Sequence, residues 1–156
     1  MIDIRGTYNR HFLDAELLLS GVICLFFIYL INRTWSSETI RGWIFANKRE
    51  IYPLVATIAG TLLGFVITGV SIIIAFSGSE KLGLLRKSAH YMTVFTIYFS
   101  TMKFLALTTI VAVSGIVVDD KWAIRIFYLL LWSVIVSSFR IWRCLWILEN
   151  IAKIIL

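Results

Sequence analysis

The chain has 156 residues, of which 60% are hydrophobic and only 15% charged, with one proline, a mean hydropathy of +0.89 and a formal net charge of +6. Soluble domains are about 45–50% apolar and about 25% charged, so this composition excludes a disordered chain, a nucleic-acid module and an ordinary soluble enzyme. It fits an all-α integral membrane protein, and the basic residues, scattered between apolar runs, fit loops that orient spans better than a nucleic-acid surface.

A spanning helix needs about 20 predominantly apolar residues to cross roughly 30 Å of hydrocarbon. The first span is expected over 12–32. Its uninterrupted core, Leu17 to Ile31, is short, so it extends back through Phe12 and Leu13 with Asp14 and Glu16 near the headgroups. The segment before it carries acidic residues and no small-residue cleavage site, which predicts a retained span and not a removable signal peptide. Residues 33–50 are polar but hold Ile40, Trp43 and Ile44 at helical spacing, with Arg41 and Lys48 on the other side and Ser36 and Ser37 as caps. They read either as a short helix lying in the membrane interface or as an aromatic-rich loop.

The second span, 51–76, contains no charge in 26 residues, a helix of roughly 39 Å that would cross with a tilt or project from one face. Pro53 is placed in its first turn, where a missing N–H costs nothing. A basic connection with Lys81, Arg86 and Lys87 leads to the third span, 92–118, interrupted only by Lys103. A tight turn at Asp119-Asp120-Lys121 precedes the fourth span, 122–143, and residues 144–156 continue it as an amphipathic tail. With no barrel-type alternation, every run is expected to be helical: a single domain over 1–156, a four-helix transmembrane bundle with a C-terminal helical extension.

Four spans place both termini on one side. That side holds eight basic residues, among them Lys81, Arg86, Lys87, Arg140 and Arg143, against six on the other, which favours cytoplasmic termini in a bacterial inner membrane.

Three groups of residues stand out. In the second span Ala56, Gly60, Gly64 and Thr68 recur every four residues, a spacing that lets helix backbones approach closely within the bundle or between subunits. Lys103 is the one ionisable residue deep in a span, and intramembrane charges mark functional sites by default. Thr96, Ser100 and Ser114 share its stripe as polar-network or pore-lining partners. Three readings of Lys103 stay open: a polar contact in the bundle interior, a position facing a water-filled cavity among identical subunits, where lysines favour anions, or a shifted span that leaves it near an interface. Third, Lys81, Arg86, Lys87, Arg140 and Arg143 form a basic cytoplasmic face suited to anionic lipid or to a soluble partner protein.

The sequence carries no HExxH, GxSxG or phosphate-loop motif, no paired intramembrane carboxylates and no Cys/His cluster. Cys24 and Cys144 lie alone in apolar stretches. No catalytic residue, metal site or cofactor is expected, and no direct nucleic-acid contact. The second-span run Gly60-Thr-Leu-Leu-Gly-Phe-Val-Ile-Thr-Gly-Val-Ser-Ile-Ile-Ile-Ala-Phe resembles that of small membrane proteins encoded within bacterial antiviral defence systems, such as the membrane subunit of Kiwa-type systems. The resemblance implies a homo-oligomeric membrane component that senses or perturbs the membrane with a cytoplasmic partner. From the residues themselves the expectation is a homo-oligomer that forms or gates an ion pathway between subunits, with a non-conducting anchor or sensor subunit as the alternative.

Overall fold

The computed structural model describes the backbone of residues 4–76 and 91–155, and side chains within 15–36, 38–75, 92–119 and 122–149. The basic connection bearing Lys81, Arg86 and Lys87 lies outside the described residues. Four helices make up the described residues: α1 (Ile4–Thr34), α2 (Ser37–Phe76), α3 (Tyr91–Val117) and α4 (Asp120–Ile155). Each contains a stretch long and apolar enough to cross a membrane, and no strand occurs among the described residues. The protein is an all-α four-helix bundle of the integral membrane class. Helix is the outcome because a lipid-exposed backbone must satisfy its own N–H and C=O groups.

The helices do not form a closed square. α2 packs chiefly on α3, α3 also on α4, and α1 chiefly on α4. The most extensive contact, α2 against α3, is built around one close approach. A Cβ at Gly115 would overlap the ring of Tyr52, and Tyr52 is buried there with Val111, Ala112 and Leu130. Farther along, Tyr98 packs on Gly69 within a second apolar cluster that includes Ala59, Val66, Val70 and Leu105. These two Tyr–Gly contacts lie seventeen residues apart on each helix, so α2 and α3 stay in antiparallel register and Gly64 is level with Lys103.

α2 departs most from the sequence expectation. It begins at Ser37, so residues 37–50 belong to the same 40-residue helix as the second span. Ser36 caps it: its hydroxyl accepts from the Thr39 N–H at 3.3 Å and its carbonyl accepts from the Ile40 N–H at 3.1 Å, as N-cap serines do. Ile40 and Ile44 are buried and Trp43 meets Phe127 of α4 edge-on. The apolar face that suggested an interfacial helix is therefore taken up by the protein. Pro53 falls in the interior of α2, where it cannot donate to the carbonyl of Arg49 and interrupts the hydrogen-bond ladder.

The chain reverses between α1 and α2 within two residues, Trp35 and Ser36, yet the two helices pack on different partners. Residues 37–52 carry the chain between them. Trp43 touches α4, the Lys48 ammonium donates to the carbonyl of Val118, just past α3, at 2.9 Å, and Tyr52 reaches α3. This part of α2 crosses the end of α4 before the remainder descends beside α3.

Candidate functional site

Polar groups cluster in two places, one between helices and one on the outside. The internal cluster lies between α1, α3 and α4. Arg140 on α4 is buried, with 3% of its surface exposed, and its guanidinium stands 5.4 Å from the centre of the Phe104 ring. Glu16 of α1 sits between Arg140 and Arg143: its Oε1 is 2.7 Å from Arg143 Nη2 and its Oε2 is 3.7 Å from Arg140 Nε. Arg140 is therefore engaged within the bundle and is not the lipid- or partner-facing residue expected from the sequence. Arg143 remains partly exposed beside the exposed rings of Trp142 and Trp146.

Hydroxyls continue this cluster along the α3–α4 contact. The Thr108 hydroxyl lies 2.9 Å from that of Ser137 and donates to the carbonyl of Phe104 at 2.8 Å. Thr101 and the thiol of Cys144 are 3.2 Å apart. All of these are buried. In lipid, helices associate through close packing and such polar contacts because no hydrophobic drive separates them from the solvent. On α1, Ser20 and Cys24 are buried, small side chains that let α1 approach α4, and Tyr128 donates to Asn32 Oδ1 at 3.0 Å near the other end of the contact.

The outer face carries the residues singled out by pattern. Lys103 is exposed on α3, as are Thr96 and Ser114, with Ser100 half-buried. The Thr96 and Ser114 hydroxyls donate to their own helix, at Met92 and Ile110. The bundle-interior reading of this stripe is thus corrected: the interior polar network is Thr101, Thr108, Ser133 and Ser137, one helix face away. On α2, Gly64 and Thr68 are exposed and Gly60 half-buried, and among the described residues no neighbouring atom stands within 4 Å of a Cβ built at Gly60 or Gly64. Of the four packing candidates only Ala56 touches the core. Close approach within the chain falls instead to Gly115, which belongs to no repeating pattern. Thr57, Thr61, Gly64, Thr68, Ser71 and Ala75, alternating four and three apart, are all exposed and form a small-residue seam on the outside of α2.

No group of three metal-ligating side chains occurs among the described residues. Searches against protein-family models, curated proteins and solved structures return no match.

Proposed function

We propose that the chain works as a homo-oligomer in a bacterial inner membrane and conducts or gates ions between its subunits, with no enzymatic role. The observation that carries this reading is the outward position of Lys103. It lies twelve residues from the start of α3 and fourteen from its end, roughly 18 and 21 Å along the axis. A lysine at a helix centre costs about 2.5–3.5 kcal/mol on insertion scales, and such residues usually face a protein interior or a water-filled cavity. This chain's own interior is filled by apolar clusters and by the hydrogen-bonded hydroxyls of Thr101, Thr108, Ser133 and Ser137, so a second subunit is what would provide that environment.

The small-residue seam of α2 supports the same arrangement, because it presents unoccupied helix surface at the level of Lys103. The larger number of basic residues on the side of the termini supports a cytoplasmic position for both. The likeness of the second span to Kiwa-type membrane subunits supports a setting in antiviral defence, with a soluble partner on that side.

The test is ion flux through full-length protein in liposomes, with its mass in lipid measured alongside. Anion-selective flux from an oligomer, lost in Lys103→Met and reversed in selectivity in Lys103→Glu, is the expected result. A strictly monomeric protein, or a folded oligomer without flux, overturns the pathway and leaves the anchor or sensor subunit.

A further inference from the structure

The crossing segment of α2 has an edge that the bundle does not use. Beside the face of the buried Ile40 and Ile44, the residues Arg41, Phe45 and Arg49 follow one another at four-residue spacing, and all three are exposed. Residues four apart are neighbours on a helix surface, so Arg41 and Arg49 occupy the positions on either side of the exposed Phe45. Lys48 stands over the same ring at 5.8 Å, and Glu38 opens the edge. The segment occupies the level where the spans end, since Lys48 bonds the carbonyl of Val118 just beyond α3. Exposed Trp35, Trp43 and Trp122 gather at this end of the bundle, and Arg125 lies 4.7 Å over the Trp122 ring. Tryptophan and basic residues in this arrangement mark the headgroup level of a membrane.

We propose that the Arg41–Phe45–Arg49 edge is a docking surface for the headgroup phosphate of anionic phospholipids. The planar guanidinium fork matches phosphate oxygens bidentately, and a ring between two such forks enters the acyl boundary beneath the phosphate. Arg33, Arg41, Lys48, Arg49 and Arg125 outnumber the neighbouring Glu38, Glu50 and Asp119. A headgroup whose phosphate charge is uncompensated is therefore preferred to a zwitterionic one. The inference does not rest on ion conduction.

The experiment reconstitutes the full-length protein into bilayers of equal parts phosphatidylcholine and phosphatidylglycerol. The lipids retained on gentle extraction are then counted by native mass spectrometry. The expected result is enrichment of phosphatidylglycerol over its bulk share. One arginine near an anionic surface corresponds to about fivefold in affinity, so Arg41→Gln and Arg49→Gln each reduce the enrichment and the double variant abolishes it. Arg41→Lys with Arg49→Lys keeps most of it, which separates charge loss from misfolding. Lys103→Gln, on another face, leaves it unchanged. Equal retention of the two lipids by the wild type overturns the proposal. So does a double variant that keeps its phosphatidylglycerol, and a change of oligomer mass in that variant would make the edge a contact between copies of this chain.

Discussion

Arg140 and Lys103 stand at nearly the same level of the bundle, since Phe104, the neighbour of Lys103, carries the Arg140 guanidinium on its ring. One is buried and salt-bridged, the other exposed. Helix direction accounts for part of the difference. Side chains lean toward the N-terminus of their helix, and α3 and α4 run in opposite senses. Lys103 leans back toward the Tyr91 end of the bundle, while Arg140 leans the other way, toward the α3–α4 turn and into the apolar layer. Lys103 is too far from either end of α3 to reach water by snorkelling alone and has no carboxylate beside it among the described residues, whereas the cation aimed into the layer is met by one, Glu16. The sense of each helix thus contributes to leaving one basic residue paired inside the bundle and the other on its outer face.

The largest expected effect lies on the Arg140 side. Glu16→Ala removes the carboxylate that separates two neighbouring guanidiniums and lowers the unfolding free energy by about 3 kcal/mol in a bicelle unfolding assay. Arg140→Met does less harm, because Glu16 keeps Arg143 at 2.7 Å. Should Glu16→Ala prove neutral, the contrast between the two cations would collapse. Next comes Gly115→Ala, whose added methyl meets the buried Tyr52 ring. Overpacking of this kind costs about 1–3 kcal/mol, and pairing it with Tyr52→Leu restores part of the loss. Gly64→Ala provides the control on the outer face: the site is open, so unfolding of the single chain is unchanged or slightly favourable to the variant, while any change in self-association reports on the seam.

A third effect of about 1 kcal/mol is expected for Thr108→Val, which leaves the Ser137 hydroxyl without its 2.9 Å partner. Tyr98→Phe sharpens the comparison in the opposite direction. The Tyr98 hydroxyl is buried with no hydrogen-bond partner among the described residues, so its removal is neutral or stabilising by up to about 1 kcal/mol. The smallest change belongs to Tyr128→Phe, which removes an exposed bond to Asn32 and costs about 0.5 kcal/mol in the same assay.

The four spans were legible because hydropathy over some twenty residues reports directly on the solvent that surrounds a helix. The beginning of α2 was not. Residues 37–50 are polar enough to read as a connection, and only packing against Phe127 and the α3–α4 turn shows why they remain part of the helix. Glu16 and Arg140 were each visible as residues near a span edge. Their meeting depends on α1 and α4 lying side by side, which no local pattern encodes, although the shared side of the two termini hinted at it. The glycines teach the reverse lesson. The periodic Gly60 and Gly64 drew attention by their spacing and face outward, while the close approach is made at Gly115, a single residue whose partner lies 63 positions earlier at Tyr52.

The seating of α1 on α4 also sets an order of events during synthesis. Glu16 is made early and Arg140 follows 124 residues later, a delay of roughly 10 s at ordinary translation rates. Until then α1 has no extensive surface to pack on, because α2, which leaves it through a two-residue turn, crosses away to α3. α1 is thus made well before the helix it packs on. A chain interrupted before α4 is complete carries the Glu16 carboxylate without its two arginine partners on α4, a feature by which unfinished molecules differ from finished ones.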